Sequence, residues 1–171
     1  MRIRQAAPAD IPEIQAIYAH HVLTGTGTFE EVPPSVEEMA ARFAALAGAG
    51  AIRLVAEDAT GVLGYAYAAR YHTRSAYRFT AEDSVYVRDD WRGGGVGTAL
   101  LAEIIAAATA AGFRQMLAVI GDAANAGSIA LHRRAGFAEA GRLIGVGYKF
   151  GRWRDVVLMQ RALGEGDTTQ P

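Results

Sequence analysis

The sequence contains no cysteine and has almost no net charge. Without cysteine there are no disulfides, no thiolate nucleophiles and no zinc sites built on cysteine, so any catalysis uses other groups. The 17 basic and 18 acidic side chains leave a formal net charge of −1. No overall field therefore attracts nucleic acid or an anionic membrane, and we expect neither as a partner. A specific small-molecule partner fits this composition better.

Long apolar runs are also missing. The N-terminal MRIRQAAPAD has two arginines with no apolar segment behind them, and no stretch reaches the roughly 18 residues of a membrane span. We therefore expect a cytoplasmic protein. A length of 171 residues, 51% of them hydrophobic, suits one domain with one core, which we place at residues 1–163. The polar ending GEGDTTQP predicts a disordered tail at residues 164–171.

The hydrophobic pattern predicts helices and strands of an α/β chain. Asp10 is a candidate cap for a first helix, and Ser35 with Glu38 forms a capping box for a second that ends near Gly48. A loop rich in Gly, Thr and Pro separates them. Further helices are expected at 95–111 and 125–134, and strands at 2–5, 51–57, 62–71, 84–88, 116–121, 137–144 and 153–161.

The segment SVYVRDDWRGGGVGTALL, residues 84–101, joins a strand to an amphipathic helix through a glycine-rich turn. Glycines let backbone N–H groups approach an anion, and the start of a helix adds partial positive charge, which suits a pyrophosphate. A P-loop is disfavoured because Gly-Lys-Ser/Thr is absent. The dinucleotide pattern G-x-G-x-x-G fails because Thr98 replaces the third glycine. The remaining alternative is a turn that only reverses the chain.

Arg92-x-x-Gly95-x-Gly97 matches the Arg/Gln-x-x-Gly-x-Gly/Ala signature, so the chain resembles the GCN5-related N-acetyltransferases (GNAT). Asn125, Ser128, His132 and the pair Gly136-Phe137 follow at the spacing of that family's last core helix and strand. Stretches such as TFEEVP (28–33) and RSAYRFTAEDSVYV (74–87) resemble the phosphinothricin and methionine sulfone or sulfoximine acetyltransferases. The resemblance implies an α/β (α+β) GNAT fold, with a twisted mixed sheet of about seven strands, a splay at the cofactor strand and about four helices. It also implies a homodimer.

The resemblance implies acetyl-CoA as the co-substrate. Backbone groups of the cofactor strand would hold the thioester and the pantetheine arm, and an N–H there could stabilise the tetrahedral oxyanion. Asn125 would bond the cofactor, although helix capping by the same side chain is an alternative. The cofactor-binding residues expected on this basis are Val85, Tyr86, Val87, Arg92, Gly93, Gly94, Gly95, Val96, Gly97, Thr98, Asn125 and Ser128.

Two residues are candidates for proton transfer. Glu82 matches the family's expected general base, because an α-amine with a pKa near 8 is mostly protonated at neutral pH. The alternatives are a strand-end carboxylate without a catalytic role and a carboxylate that binds the ammonium group. His132 stands where many relatives carry a tyrosine that protonates the departing thiolate; it could donate that proton, accept one from the amine or be structural. His20, His21 and His72 form no metal-ligand spacing with it, and we predict no metal.

The acceptor implied by the resemblance is a small amino acid of the phosphinothricin, methionine sulfone or methionine sulfoximine type. Arginine suits its carboxylate, and Arg74 is the first candidate. The expected substrate-binding residues are Phe29, His72, Thr73, Arg74, Tyr77, Glu82, Asp83 and Ser84. Two alternatives stay open at this point: another amine as acceptor, such as a peptide N-terminus or a polyamine, and a non-catalytic acyl-CoA sensor.

Overall fold

A computed structural model describes residues 1–171. Its strands are β1 (Arg2–Gln5), β2 (Ile52–Asp58), β3 (Gly61–Arg70), β4 (Thr80–Val87), β5 (Gln115–Gly121), β6 (Ala138–Lys149) and β7 (Arg152–Ala162). Its helices are α1 (Ile11–Thr24), α2 (Val36–Gly48), α3 (Val96–Ala110) and α4 (Ala126–Arg134), and short 3-10 turns lie at Pro8–Asp10, Ser75–Tyr77 and Asp89–Trp91. All predicted helices and strands are present.

The seven strands form one mixed sheet in the order β1-β2-β3-β4-β5-β7-β6. Only β4 and β5 are parallel neighbours; every other pair is antiparallel. A parallel pair needs a crossover connection, and here the glycine turn and α3 supply it. The sheet and its four helices confirm the predicted α/β (α+β) GNAT fold.

The helices cover the two faces of the sheet in pairs. A large apolar cluster joins α3 and α4 to one face, and a second cluster joins α1 and α2 to the other. Along β4 the side chains alternate between these clusters: Ala81 belongs to the first and Tyr86 packs against the second. The side chains of successive β4 residues therefore point to opposite faces of the sheet. This alternation decides which of them face the site.

The predicted cap at Asp10 is wrong. Its carboxylate accepts two hydrogen bonds from the Arg4 guanidinium, at 2.7 and 2.8 Å, and one from Ala7 N at 2.7 Å. A bidentate, charge-assisted pair is stronger than a cap, so α1 begins after a 3-10 turn with no side-chain cap. The cap of α2 is confirmed, since Ser35 Oγ accepts from Glu38 N at 3.1 Å.

The last hairpin is longer than its sequence pattern indicates. β6 continues to Lys149 and β7 begins at Arg152, with a register shift in β6 between Leu143 and Gly147. Gly145 has a φ of 62° within this irregular part of the strand. Glycine inside a strand often marks a bulge, and here the strand continues beyond it.

Residues 164–171 contain no helix or strand. Their disorder stays a prediction, and the structure shows contacts between them and Arg114. The Arg114 guanidinium donates to Thr169 Oγ1 at 2.6 Å and lies 3.4 Å from Glu165 Oε2. Arg114, directly before β5, therefore contacts this segment. None of the helices combines the length and the apolar character that crossing a membrane requires.

Candidate active site

The parallel pair β4–β5 separates along its length. The two strands pair only from Thr80–Gln115 to Asp83–Ala118. Beyond these residues β4 stays paired with β3 as far as Val87, and β5 stays paired with β7 as far as Gly121. The strands are therefore held on their outer sides and open between themselves, which is the splay that the resemblance implied.

A cavity of about 750 Å³ occupies this opening. Its walls come from β4, the glycine turn, the start of α3, β5 and α4, together with the loop after α1. The lining includes Asp83, Ser84, Val85, Tyr86, Val87, Arg92, Gly93, Gly95, Val96, Gly97, Thr98, Asn125, Ser128 and His132. The structure thus brings together all the predicted cofactor-binding residues except Gly94, which lies in the same turn.

The glycine turn leaves backbone donors free. Gly93 and Gly95 have φ values of 77° and 83°, in the left-handed region that favours glycine. Gly95 is the N-cap of α3 and offers no side chain, so the first N–H groups of the helix have no capping partner. Arg92 adds a cation, although its Nε lies 3.1 Å from Asp89 Oδ1. These groups fit the pyrophosphate of acetyl-CoA.

Asn125 caps α4 at the opposite wall of the cavity. Its Oδ1 accepts from Ser128 N at 3.2 Å. Its Nδ2 lies near the loop after α1, where a Cβ placed on Gly27 would be 3.4 Å away. The side chain therefore caps the helix with its oxygen and has its amide donors left for the cavity.

A buried pair of side chains lies between α4 and β4. His132 Nε2 is 3.1 Å from Asp83 Oδ2, and the two residues are 4% and 5% exposed. His132 Nδ1 is 2.8 Å from the carbonyl oxygen of Ser128, and the ring meets Phe137 edge-on. Burial alone would lower the pKa of His132, but its hydrogen bond to Asp83 and the charge of that carboxylate raise it above its ordinary value.

Glu82 lies on the face of β4 opposite to Asp83. It is half-buried, and no hydrogen bond or ion pair engages its carboxylate. Burial raises the pKa of Glu82, and the neighbouring charge of Asp83 raises it further. Ser84, on the same face, is the cross-strand partner of Tyr67 on β3. A carboxylate with a raised pKa and no partner has the properties of a general base.

Of the eight predicted acceptor residues, Asp83 and Ser84 line the cavity, whereas Glu82, Phe29 and four residues of the β3–β4 loop do not. The Phe29 ring packs at the end of the opening, against Gly121 of β5 and Gly147 of β6. His72, Thr73, Arg74 and Tyr77 instead lie in the exposed loop between β3 and β4, away from the cavity lining. They lie there because β3 ends at Arg70 and the chain leaves the sheet before β4 begins at Thr80.

Several residues of the cavity were not found from the sequence. They are His21 in α1; Gly25, Thr26 and Gly27 in the following loop; Trp91 in the 3-10 turn after β4; Val119 and Ile120 of β5; and Leu131 and Arg134 of α4. His21 Nε2 is 2.9 Å from Val87 O on the cofactor strand. Burial lowers the pKa of His21, so a neutral ring donates to that carbonyl. No local motif marks these residues.

The loop after α1 is fixed by contacts distant in sequence. Lys149 Nζ, only 1% exposed, donates to Thr28 O at 2.9 Å. Glu30 accepts from Tyr18 and from Arg42, at 2.9 and 2.7 Å. These anchors hold Gly25, Thr26 and Gly27 against the cavity. No group of three or more His, Asp or Glu side chains has the arrangement of a metal site.

Comparison with known proteins agrees with this geometry. Residues 3–158 match the family model described as acetyltransferase (GNAT) domain. The chain belongs to the GNAT acetyltransferases. This GNAT chain is 54% identical to phosphinothricin N-acetyltransferase from Alcaligenes faecalis, over 99% of its own length and 86% of the relative.

Two further relatives are similar over nearly their whole length. The L-methionine sulfoximine/L-methionine sulfone acetyltransferase of Pseudomonas paraeruginosa is 46% identical over 92% of both chains. The crystal structure of a GNAT phosphinothricin acetyltransferase from Sinorhizobium meliloti in complex with AcCoA superposes with a TM-score of 0.95. That structure is 50% identical, and the match covers 99% of this chain and 92% of that one. The GNAT enzyme described here is therefore a transferase.

Proposed function

We propose that this enzyme transfers the acetyl group of acetyl-CoA to the α-amine of a small amino acid of the phosphinothricin, methionine sulfone or methionine sulfoximine type. The observation that carries the proposal is the opening between β4 and β5. It runs from the free N–H groups at the start of α3 to the buried pair Asp83–His132. An extended thioester with a pyrophosphate at one end has this shape and this polarity.

Charge and backbone geometry support the assignment of the groups that would bind acetyl-CoA, the acyl donor. The N–H groups of the first turn of α3 and the Arg92 guanidinium suit the pyrophosphate. The backbone of Ser84–Val87 has no strand partner on the side of β5, so its groups suit the amides of the pantetheine arm. Asn125 amide donors lie on the opposite wall.

Deprotonation of the acceptor amine depends on Glu82. An α-amine has a pKa of about 8, so at neutral pH it arrives mainly as an ammonium ion and must lose a proton before it attacks. Burial and the charge of Asp83 raise the pKa of Glu82, which brings this carboxylate closer to the pH at which it must accept. Acetyl transfer then proceeds by direct attack, with no covalent enzyme intermediate.

The proposed acceptor class takes support from the relatives. Those that are 54% and 46% identical are named for phosphinothricin and for methionine sulfoximine and sulfone. Such molecules carry a carboxylate and a second polar group, and a bidentate guanidinium suits the carboxylate. Binding by His72, Thr73, Arg74 and Tyr77 stays a prediction, since these side chains are exposed outside the cavity.

The test is a thiol-release assay with acetyl-CoA and a panel of acceptors. The panel contains phosphinothricin, methionine sulfone, methionine sulfoximine, ordinary amino acids, short peptides and a polyamine. The N-acetylated form of each amino-acid acceptor serves as its matched control, because it lacks only the free amine. We expect release with the first three, none with the blocked forms, and a product heavier by one acetyl group in the mass spectrum.

Two other outcomes would overturn the proposal. Faster turnover of peptides or polyamines than of every amino acid would assign another acceptor. Calorimetric binding of acetyl-CoA with no release across the panel would identify an acyl-CoA sensor.

We also infer that the enzyme is a homodimer located in the cytoplasm. The β6–β7 hairpin exposes six large apolar side chains, which are Leu143, Ile144, Val146, Tyr148, Phe150 and Trp153. Monomers rarely expose such a cluster. Light scattering on the purified protein tests the assembly, and a mass of one chain at micromolar concentration would exclude the dimer.

A further inference from the structure

The shortest contact of each His132 ring nitrogen is with an oxygen that accepts; Nδ1 also lies 3.4 Å from Ser128 Oγ, a longer contact in which either atom can donate. Nδ1 is 2.8 Å from the Ser128 carbonyl oxygen, which can only accept. Nε2 is 3.1 Å from Asp83 Oδ2, which also only accepts when the carboxylate is ionised. A neutral imidazole has a single N–H and would place a lone pair against one of these oxygens. The two shorter contacts are both satisfied when both nitrogens carry protons.

We propose that Asp83 is a positioning residue of the acetyl-transfer site, whose buried carboxylate holds His132 as a doubly protonated imidazolium and so leaves Glu82 as the only base. His132 thereby contributes a fixed positive charge beside the cavity in which the thiolate is released. The kinetic part of this inference rests on the proposed function. The protonation state of His132 does not.

The second carboxylate oxygen of Asp83 strengthens the argument. Asp83 Oδ1 is buried and has no hydrogen-bond partner, although Asp83 lines the cavity. A buried carboxylate with an unsatisfied oxygen is unfavourable unless a cation stands beside it. The imidazolium of His132 is the cation within hydrogen-bond distance. The positive ring of His132 therefore compensates the buried negative charge of Asp83.

The same carboxylate acts on Glu82 through the strand. Asp83 and Glu82 are neighbours in β4 and point to opposite faces, and the charge of Asp83 adds to burial in raising the pKa of Glu82. One buried charge thus acts on both His132 and Glu82. It keeps the proton on His132 and makes Glu82 a stronger base.

Other charged groups near His132 do not account for its protonation. On its own helix, Arg133 and Arg134 are exposed and of like sign. From β7, the Arg161 guanidinium donates to Ala135 O at the end of α4. Phe137 supplies an apolar edge. On β4, Asp83 provides the negative charge in contact with the ring, so its removal isolates the effect.

The first experiment is an NMR titration of the histidine rings in the intact enzyme. The chain has four histidines, and the signals of His132 are assigned by their loss in His132→Gln. We expect protons on both ring nitrogens of His132 and a midpoint above the ordinary value of about 6.5. A midpoint at or below that value, or a single protonated nitrogen at pH 6.5, would overturn the inference.

Asp83→Asn provides the decisive comparison, because it keeps the shape and removes the charge. The midpoint of His132 should fall by about 1 to 3 units, the range for the loss of an adjacent opposite charge. Asp10→Asn is the matched control: it also removes a buried, paired carboxylate, but one that binds Arg4 on another part of the fold. An unchanged midpoint in Asp83→Asn would sink the proposal. If that variant does not fold, the wild-type titration decides alone.

Kinetics separate positioning from a merely structural role. In Asp83→Asn the rising limb of kcat/KM against pH should move to lower pH, because Glu82 loses the neighbouring charge that raised its pKa. Destabilisation alone would lower the amount of active enzyme and leave the limb in place. A failed acceptor panel would reject the proposed function, whereas the titration of His132 would still be informative.

Discussion

The ring of Phe29 lies where a side chain on Gly147 would have to be. A Cβ built on Gly147 would overlap three atoms of this ring, and one built on Gly121 would come within 3.2 Å of it. Phe29 therefore needs two glycines, on β5 and β6, in order to fill the end of the opening between the strands.

Gly147→Ala should consequently be destabilising. Overpacking of this kind costs about 1 to 3 kcal/mol, measured as a loss of unfolding free energy in urea. Adding Phe29→Ala to Gly147→Ala should restore part of the loss, which a double-mutant cycle detects. Gly141→Ala in the same strand is the control, since nothing lies within 4 Å of its added Cβ. Equal losses from the two glycine substitutions would contradict the proposed contact.

Glu82→Gln should lower kcat by about 10² to 10⁴, the usual contribution of a general base. The loss should be largest at neutral pH and smaller at alkaline pH, where the amine loses its proton without help. In the wild type, activity should fall as the pH drops through the raised pKa of Glu82, because the protonated acid cannot accept. Glu103→Gln, exposed on α3, is the control. A proportional loss at every pH would leave Glu82 as an ammonium-binding group.

Asn125 combines two roles that substitution can separate. Asn125→Ala removes the cap and the amide, and should lower the unfolding free energy by about 1 kcal/mol. Asn125→Asp retains an acceptor for Ser128 N at the helix N-terminus, so it should keep most of the stability. Both variants should weaken acetyl-CoA binding in calorimetry. Ser35→Ala, which uncaps α2, is the control: it should lower the unfolding free energy and leave acetyl-CoA binding unchanged. Normal binding by Asn125→Asp would restrict Asn125 to capping.

Arg92→Ala should weaken acetyl-CoA binding by about tenfold, the effect of losing one charge-assisted hydrogen bond. Acetylpantetheine, which lacks the phosphates, should be used equally well by the variant and the wild type. Arg133→Ala is the control, since this exposed arginine lies outside the cavity lining. A similar loss with both acyl donors would mean that Arg92 supports the fold of the turn, where it already pairs with Asp89.

The Asp83–His132 pair predicts a pH dependence of stability. The pKa of His132 is raised in the folded state, so its stabilisation is complete below the unfolded value of about 6.5. That stabilisation is lost as the pH rises through the folded pKa. Asp83→Asn should therefore be more damaging at pH 6 than at pH 9, by about 1.4 kcal/mol for each unit of raised pKa. Urea unfolding at both pH values measures this difference, and equal losses would argue against a charged pair.

The strand, glycine turn and helix from Ser84 to Ala110 could be predicted because their signals are local. Glycines at 93, 95 and 97, an arginine before them and a 3.6-residue apolar period after them define the turn and α3 without reference to the rest of the chain.

The partners of these residues could not be predicted in the same way. Asp83 meets His132 across 49 positions, and Lys149 holds Thr28 across 121. Asp10 failed as a cap for a similar reason, because Arg4 offers it a stronger partner. The residues from His72 to Tyr77 were assigned to the site from the resemblance of the RSAY segment and its position just ahead of Glu82, and their role stays a prediction. The structure shows them in an exposed segment between β3 and β4.

The early end of the β4–β5 ladder has a further consequence. It creates a sheet edge in the middle of the sheet, where the amides of Ser84–Val87 and Val119–Gly121 face no strand across the opening. An acyl donor bound there completes the sheet as an additional strand would, and it binds the folded chain only. Its binding then raises the free energy of unfolding by RT ln(1 + [L]/Kd). This is about 2.7 kcal/mol when the donor concentration is a hundred times Kd. The amides along this inner edge should therefore exchange with solvent more slowly as the acetyl-CoA concentration rises.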